Sequence, residues 1–243
     1  MAKQSVREEL DFRSVNFLEG YIGVIDKPLN WTSADVVRKI KYHLRKAGFG
    51  RVKVGHAGTL DPLATGVLII CIGKATKMVE ALQSEEKVYE ADIMLGATTP
   101  SFDLEHPIDK TYPTEHITRQ AVVEALASLC GERLQMPPLF SAKKVEGVRA
   151  YDIARAGEQV ELRQALINIY DMELLECNLP KITIRVRCSR GTYIRSLARE
   201  IGEALQSGAH LTSLRRTRSG GFTADLAYTL DEFLEKLEAV ETK

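Results

Sequence analysis

Apolar residues recur along this 243-residue chain with two different spacings. Between Thr32 and Gly48 they return every three or four positions, which predicts an amphipathic helix whose outer face is basic. Thr32 and Asp35 form a capping-box pattern at its start, and Gly48 suits its end. Residues 118–130 show the same spacing and predict a second helix, ended by Gly131.

Other stretches have the patterns of strands. Residues 67–72 form an uninterrupted apolar run, as in a buried strand, and residues 181–188 alternate between apolar and polar. This mixture predicts an α+β fold with a mixed, mainly antiparallel sheet flanked by helices. The predicted strands are 21–25, 67–72, 87–96, 164–177 and 181–188; shorter helices are predicted over 73–82, 150–156, 193–205 and 231–240, and a loop over 97–117.

The stretch from Gly55 to Gly66, which reads GHAGTLDPLATG, is the strongest chemical signal. Asp61 precedes Pro62, which favours an extended backbone, and the glycines allow positive φ or a close approach to a ligand. The strand that follows would hold this loop in place, and loops on rigid scaffolds often carry function. Taken alone, an Asp-Pro in a glycine-rich loop is more often a simple turn, and His56 is more often a turn or capping residue.

The 33 lysines and arginines balance 33 acidic residues, but the charges are unevenly distributed. Residues 32–56 hold seven basic residues and one acid, a net charge of +6, and residues 181–218 hold nine and two, a net charge of +7. Residues 84–124 hold three and nine, a net charge of −6. The two basic segments could form one phosphate-facing surface, as in nucleic-acid-binding proteins; scattered solvated charges are the alternative.

The same composition argues against membrane and redox functions. No apolar run approaches the roughly 20 residues of a membrane span, and the first ten residues lack the apolar core of a signal peptide. We therefore expect a cytoplasmic protein. Cys71, Cys130, Cys177 and Cys188 show no Cys-x-x-Cys spacing, which favours buried thiols over a metal or redox site.

The Gly55–Gly66 motif resembles the catalytic motif of the TruB family, the bacterial tRNA pseudouridine-55 synthases. Further blocks resemble segments of that family in the same order and extend the likeness over nearly all of residues 20–222. These blocks are Lys87-Val88-Tyr89 with Leu95-Gly96, Pro137-Pro138-x-Phe140-Ser141-Ala142 with Gly147 and Tyr151, Cys188-Ser189-x-Gly191-Thr192-Tyr193-Ile194-Arg195, and Gly208-Ala209-His210 with Leu214-Arg215-Arg216.

The resemblance implies a pseudouridine-synthase fold with an active-site cleft, and it assigns roles to individual residues. Asp61 would be the catalytic carboxylate, Arg195 its guanidinium partner, and Tyr89 the ring that stacks on the target base. Leu214 would line the pocket, and Tyr193, in the same block as Arg195, would contact the substrate.

The implied reaction explains this set of residues. Conversion of uridine to pseudouridine breaks the N-glycosidic bond, turns the uracil over and rejoins it through C5. Nothing is oxidised and no group is lost, so we expect neither a cofactor nor a metal. An adjacent guanidinium favours the ionised form of a desolvated aspartate, the role expected of Arg195. Whether Asp61 attacks C6 of the base or C1′ of the ribose, or acts as a base at C2′, stays open.

The implied substrate is the uridine at position 55 in the T-loop of tRNA, so the base must be extruded from a folded stem-loop. His56 is a candidate wedge or stacking partner for the displaced loop, and a hydrogen bond that orients the Asp61 loop is the alternative. We expect phosphate contacts from Lys27 and Lys77. The other phosphate candidates are Arg38, Lys143, Arg215 and Arg216.

The chain departs from the family in two places. We expect a catalytic domain over residues 12–228 and a short acidic helix over 229–243, without the appended RNA-binding PUA domain that family members commonly carry. The protein would then bind the T-arm of tRNA as a monomer through the catalytic domain, and removal of 229–243 should leave that affinity largely intact. In the family's Thr-Asp-Thr-x-Asp-x-x-Gly segment, here residues 99–106, Asp103 stays in register while the first Asp and the final Gly are replaced.

Two other functions compete with this interpretation. An RNA-binding module that remodels tRNA would explain the basic segments equally well, and an N-glycoside hydrolase would share the carboxylate but release free uracil. A serine hydrolase is not favoured, because Ser141, Ser189 and Thr192 lack a Gly-x-Ser-x-Gly turn and an evident histidine partner.

Overall fold

The computed structural model describes residues 11–138, 144–145, 148–149 and 163–240. The chain divides into two compact units, one formed by Met1–Tyr89 with Arg215–Lys243 and the other by Glu90–Leu214. The predicted helix 150–156, the predicted phosphate contact Lys143 and most of the block that begins at Pro137 lie outside the described residues.

Helices and strands are interspersed along the described chain. The helices are α1 (Ser33–Leu44), α2 (Val79–Ser84), α3 (Arg119–Ser128), α4 (Ile194–Ala204) and α5 (Leu230–Glu238). The strands are β1 (Tyr21–Lys27), β2 (Val54–Ala57), β3 (Ala64–Ile72), β4 (Lys87–Leu95), β5 (Ala97–Thr98), β6 (Lys110–Thr111), β7 (Gly131–Gln135), β8 (Lys144–Val145), β9 (Val148–Arg149), β10 (Ala165–Asn178), β11 (Lys181–Cys188), β12 (Ala209–Ser219), β13 (Phe222–Thr223) and β14 (Tyr228–Thr229). Short 3-10 turns cover Phe12–Ser14, Gly73–Met78 and Ala224–Leu226, and a π-helical turn covers Arg45–Phe49.

The sheet of the first unit has the strand order β14-β1-β3-β12, with β2 paired to β3 and β13 paired to β12. β1 and β3 are antiparallel, with Ile25 opposite Leu68, and β14 runs parallel to β1. Residues 67–72 are all buried, as their uninterrupted apolar run predicts for a strand covered on both faces. β3 therefore gives the loop that precedes it a rigid end.

Helix α1 begins where the sequence predicts. The hydroxyl of Thr32 accepts a hydrogen bond from the Asp35 N–H, and the Asp35 carboxylate accepts one from the Thr32 N–H, both at 3.0 Å. Val36 and Ile40 are buried on the inner face, and the basic residues of the outer face are exposed. Gly48 ends the helical segment in the left-handed region, with φ 84°, a conformation that glycine adopts without a steric penalty.

The last helix packs into the core of the first unit. Phe233 of α5 is fully buried, and its ring centroid lies 5.1 Å from that of Phe12 and 6.2 Å from that of Tyr21. The tail thus forms the short helix that its sequence predicts. Because its apolar face completes a core, we now expect removal of residues 229–243 to destabilise this unit, whatever its direct effect on RNA affinity.

The second unit holds the strand order β12-β4-β11-β10-β7, to which β12 and β4 contribute the parts that lie in this unit. β10 and β11 correspond to the predicted strands 164–177 and 181–188 and form an antiparallel hairpin, with Leu174 opposite Ile184. The helices α3 and α4 pack against each other. The strand pairs β1–β3, β2–β3, β12–β13, β10–β11 and β10–β7 are antiparallel and β1–β14 is parallel. The predicted α+β class with a mixed, mainly antiparallel sheet is confirmed.

Several details of the fold differ from the sequence expectations, including the unpredicted strands β2, β7 and β12. The predicted loop 97–117 contains the short antiparallel pair β5–β6. The expectation of buried thiols holds for Cys71 and Cys188, but Cys177 is only half-buried, and the expectation is wrong for Cys130, which is exposed. No helix in the described part of the chain is long and apolar enough to cross a membrane.

Candidate active site

The Asp61 loop joins β2 to β3 in the first unit and is fastened by backbone contacts. The hydroxyl of Ser33, at the start of α1, donates to the carbonyl oxygen of Leu60 at 3.1 Å and accepts from the Leu60 N–H at 2.9 Å. On the other side of Asp61, the carbonyl oxygen of Pro62 accepts from the Asn30 N–H at 2.9 Å. Asp61 itself is half-buried. The loop therefore presents a carboxylate at a fixed, partly accessible point, as its sequence predicts.

The guanidinium of Arg216, in β12, hydrogen-bonds to backbone carbonyl oxygens on both sides of the same loop. Its side chain is 1% exposed; Nε donates to the carbonyl oxygen of Val67 at 2.7 Å, and Nη2 donates to that of Gly58 at 3.0 Å. Gly66 lies against the Arg216 backbone so closely that a Cβ there would stand 2.2 Å from the Arg216 carbonyl oxygen. The prediction that Arg216 contacts phosphate is wrong, because its guanidinium is buried and committed to backbone carbonyls.

Lys27 is also turned inward. It is fully buried, and Nζ donates to the carbonyl oxygens of Pro28, Trp31 and Pro62 at 2.8, 2.6 and 3.3 Å. Burial lowers the pKa of Lys27 to about 8, and the negative charge of Asp61 partly offsets this lowering. Lys27 does not fit its expected role as a phosphate contact, because an ammonium group enclosed by three carbonyls cannot present its charge at the surface. It instead ties the Pro28–Trp31 turn to the Asp61 loop.

His56 lies half-buried in β2. Burial lowers the pKa of His56, and the positive charge of Arg216 lowers it further, so the imidazole is neutral at neutral pH. Nδ1 is buried and makes no hydrogen bond to any residue that the structure describes. Nδ1 therefore gives no support to the alternative in which a hydrogen bond from His56 orients the Asp61 loop, and that alternative stays a prediction.

In the second unit, Arg195 lies at the start of α4 and faces Asp103. Their side chains are 4% and 5% exposed, and Arg195 Nε lies 3.7 Å from Asp103 Oδ2. Arg195 Nη1 also donates to the carbonyl oxygen of Ser101 at 3.4 Å. The loop secures Asp103 in turn, because Oδ1 accepts from the Glu105 N–H at 3.0 Å and its carbonyl oxygen accepts from the Thr99 hydroxyl at 2.6 Å.

Asp103 thus belongs to the candidate site. The sequence indicated this residue only through its position in the segment that resembles the family's Thr-Asp-Thr-x-Asp-x-x-Gly. A buried guanidinium requires a nearby negative charge, and in the second unit Asp103 supplies one to Arg195. The predicted pairing of Arg195 with Asp61 concerns residues of different units and stays a prediction.

A buried glutamine fixes Tyr193, the residue that caps α4. The side-chain oxygen of Gln135 accepts from the Tyr193 N–H at 2.8 Å, and its amide nitrogen donates to the Tyr193 carbonyl oxygen at 3.2 Å. Next to it, the Ser196 hydroxyl donates to the carbonyl oxygen of Met136 at 2.8 Å. Sequence reasoning missed Gln135, because it did not predict the strand β7 that carries it.

The other predicted residues are spread over both units. Tyr89 in β4 and Leu214 in β12 are buried. Lys77 is exposed, as a phosphate contact requires. Arg215 is half-buried and forms a two-point ion pair with Asp26, at 3.0 and 2.7 Å. In the first unit the structure therefore brings together Lys27, His56, Asp61 and Arg216, and in the second it brings together Asp103, Tyr193 and Arg195. Within the described residues, no group of three or more His, Cys, Asp or Glu side chains could hold a metal ion.

Comparison with known proteins gives this arrangement a context. The TruB family pseudouridylate synthase model (N-terminal domain) matches residues 45–194, and the tRNA pseudouridylate synthase B C-terminal domain matches residues 195–243. A relative from Phocaeicola vulgatus, named tRNA pseudouridine synthase B, is 60% identical over 228 residues, which cover 93% of this chain and 97% of the relative.

Solved structures show the same fold. A Cbf5-Nop10-Gar1 complex contains a chain that is 32% identical, with a TM-score of 0.70 over 92% of this chain. An H/ACA ribonucleoprotein bound to a substrate RNA containing 2′-deoxyuridine contains one that is 28% identical, with a TM-score of 0.66 over 96% of this chain. This chain spans 56% and 59% of those two longer chains.

The fold and the residues of the Asp61 loop define a pseudouridine synthase, an isomerase that rearranges a nucleoside without removing any of its atoms. Within that class, the chain belongs to the TruB family.

Proposed function

We propose that this enzyme converts the uridine at position 55, in the T-loop of tRNA, into pseudouridine. The observation that carries the proposal is the family membership, together with a half-buried Asp61 held in a fastened loop. The name of the relative from Phocaeicola vulgatus supports tRNA as the substrate, and the substrate RNA in the H/ACA ribonucleoprotein supports RNA as the substrate class. A tRNA substrate would place the enzyme in the cytoplasm.

In the proposed mechanism, the base is extruded from the T-loop, which costs a few kcal/mol. Tyr89 stacks on the extruded uracil, and His56 stacks on or wedges into the disrupted loop. A neutral imidazole suits stacking, and burial together with Arg216 lowers the pKa of His56. Leu214 and Tyr193 would line the pocket, and Lys77 would contact a phosphate.

Asp61 would carry out the chemistry as an ionised carboxylate. The C1′–N1 bond breaks, the uracil turns over, a C1′–C5 bond forms, and the proton displaced from C5 is balanced by one gained at N1. Attack of Asp61 on C6, its attack on C1′ and its action as a base at C2′ are each compatible with this balance. Arg195 would keep Asp61 ionised, and Asp103 would hold the Arg195 guanidinium in place.

We further propose that residues 12–228 form one catalytic domain, whose core is completed by helix α5 through Phe233, and that the enzyme binds the T-arm as a monomer. An unmodified tRNA transcript, incubated with the purified enzyme and no cofactor, should acquire pseudouridine at position 55, as read by chemical mapping. A transcript with cytidine at position 55 is the matched control. Pseudouridine at another position alone would refute the site assignment, and release of free uracil would indicate a hydrolase.

A further inference from the structure

The outer side of α1 carries two adjoining depressions in the first unit, with volumes of about 410 and 460 Å³. Both are lined by Arg38 and Tyr42, so they adjoin each other, and we call the two together the α1 groove. Trp31 lines its inner end, and Arg51 and Lys53 line its outer end.

The α1 groove is strongly basic. The segment 38–53 contains seven lysines and arginines and no acidic residue. Arg38 hydrogen-bonds to Asp35, and Lys46 lies 3.8 Å from Glu238. The remaining five cations are exposed and have no acidic partner among the residues that the structure describes. They are Lys39, Lys41, Arg45, Arg51 and Lys53. Such a concentration of like charge repels itself in the isolated protein and attracts a polyanion.

Two aromatic rings stand among these cations. Tyr42 is 54% exposed on the outer face of α1, and Trp31 is half-buried at the inner end of the groove. Exposed rings within a basic groove are typical of single-stranded RNA binding, because every base offers a face on which an aromatic ring can stack.

The inner end of the α1 groove adjoins the Asp61 loop. Asn30, beside Trp31, also lines the groove, and its N–H donates to the carbonyl oxygen of Pro62. From there the groove follows the helix outward. Arg38 and Arg45 are seven residues apart, roughly 10 Å along a helix that rises 1.5 Å per residue. That length is comparable to about three nucleotides of one strand.

We infer that the α1 groove binds the RNA strand that flanks the target nucleotide. Trp31 and Tyr42 stack on bases of this strand, while Arg38, Arg45 and Arg51 contact its phosphates. The inference rests on the proposed function for its RNA substrate, and it adds a binding region outside the loop that carries the chemistry.

The phosphate contacts are tested with the double variant Arg45→Gln/Arg51→Gln. Its matched control is Lys110→Gln/Arg119→Gln, which removes two exposed charges from the second unit. The affinity for an unmodified T-arm stem-loop is measured between about 50 and 200 mM salt. Each lost phosphate contact reduces the slope of log affinity against log salt by about 0.7–0.9. The slope measured for the groove variant should therefore be smaller than that of the wild type by about 1–2, and the slope measured for the control should be unchanged. A groove variant with the wild-type slope would overturn the inference.

The stacking contacts are tested with Tyr42→Ala, Trp31→Leu and Trp31→Phe. Loss of one stacked base weakens binding by about 5- to 150-fold, and Trp31→Phe should recover most of the loss because it retains an aromatic face. Equal losses in Trp31→Leu and Trp31→Phe, with unchanged affinity in Tyr42→Ala, would overturn the stacking role.

RNA length separates this inference from the proposed function. A trinucleotide that carries the target uridine with one nucleotide on each side should bind the wild type and the groove variant about equally, since it lacks most of the flanking strand. If wild-type enzyme forms no pseudouridine in tRNA but the groove variant still binds the long stem-loop more weakly, the proposed function fails and the groove assignment stands. If pseudouridine forms and the groove variant matches its control at every RNA length, the groove assignment fails and the function stands.

Discussion

The guanidinium of Arg216 donates a hydrogen bond to the carbonyl oxygen of Gly58, three residues before Asp61. A second bond, to Val67, ties the same side chain to the strand that follows the loop. One buried arginine therefore fixes both ends of the loop that carries the proposed catalytic carboxylate. Position is central to such chemistry, because a misplacement of about 1 Å can cost a factor of about 100 in rate.

We expect Arg216→Met to lower kcat sharply while RNA affinity stays within a few-fold of wild type. The substitution leaves the carbonyl oxygens of Gly58 and Val67 without their donor, at about 1–3 kcal/mol for each buried group. Urea unfolding should register this loss, and single-turnover kinetics with a separate binding assay should register the effect on chemistry. If Arg216 were instead a phosphate contact, affinity and its salt dependence would fall while the free energy of unfolding stayed the same.

Gly66→Ala should destabilise the first unit by more than about 3 kcal/mol, because the added Cβ would collide with the Arg216 carbonyl oxygen at 2.2 Å. Gly48→Ala is the matched control. Gly48 also has positive φ, at 84°, but a Cβ added there would meet no heavy atom of the described residues within 4 Å, so we expect a cost of only about 1 kcal/mol. Similar free energies of unfolding for the two variants would show that the close approach of position 66 to the Arg216 carbonyl oxygen adds nothing to the cost of the substitution.

Lys27 should give the enzyme a distinctive pH dependence. Its pKa in the folded protein is about 8, below the ordinary 10.5. Between these values the unfolded chain binds more protons than the folded one, so the contribution of Lys27 to stability rises with pH. Below pH 8 the buried charge costs on the order of 3 kcal/mol, and this cost disappears as the pH approaches 10.5.

The measurement is the free energy of unfolding from pH 7 to pH 10.5 for the wild type and for Lys27→Met. The stability of the wild type relative to the variant should increase across that range. A constant difference would mean that Lys27 titrates alike in the folded and unfolded chain, which would contradict its burial.

Asp103→Asn tests the buried partner of Arg195. Loss of the negative charge leaves a buried guanidinium less well compensated, and breaking a buried pair typically costs about 3–5 kcal/mol. We expect lower stability and a strong loss of turnover, with RNA affinity less affected. Asp109→Asn, an exposed aspartate of the same loop region, is the control and should resemble the wild type in both measurements. Full turnover in Asp103→Asn would remove Asp103 from the site.

The elements that the sequence predicts well are those set by neighbouring residues. The Thr32–Asp35 capping box, the buried strand after the Asp61 loop and the hairpin of β10 and β11 each depend on patterns within about 25 residues. The sequence does not predict β12, because His210 and Arg216 interrupt its apolar pattern. Both side chains are buried in the fold. Arg216 Nε donates to the carbonyl oxygen of Val67, and His210 Nδ1 lies 2.9 Å from the carbonyl oxygen of Ala97.

The candidate site follows the same rule. The Asp61 loop could be identified from its own residues and from the family resemblance, since both are local in sequence. The roles of Lys27 and Arg216 could not be identified from the sequence, because a lysine or arginine is expected at the surface unless buried carbonyl partners are known. Asp103 lies 92 residues before Arg195, and only the folded second unit brings the two together.

The most direct measurement for the account is the single-turnover rate of pseudouridine formation at position 55 by wild-type enzyme and by Asp61→Asn, on the same unmodified tRNA. The substitution keeps the size of the side chain and removes its charge. We expect the rate to fall by at least about 1,000-fold while tRNA affinity stays within a few-fold of wild type. Pseudouridine formation by Asp61→Asn at a rate near that of the wild type would contradict the claim that this carboxylate carries out the reaction.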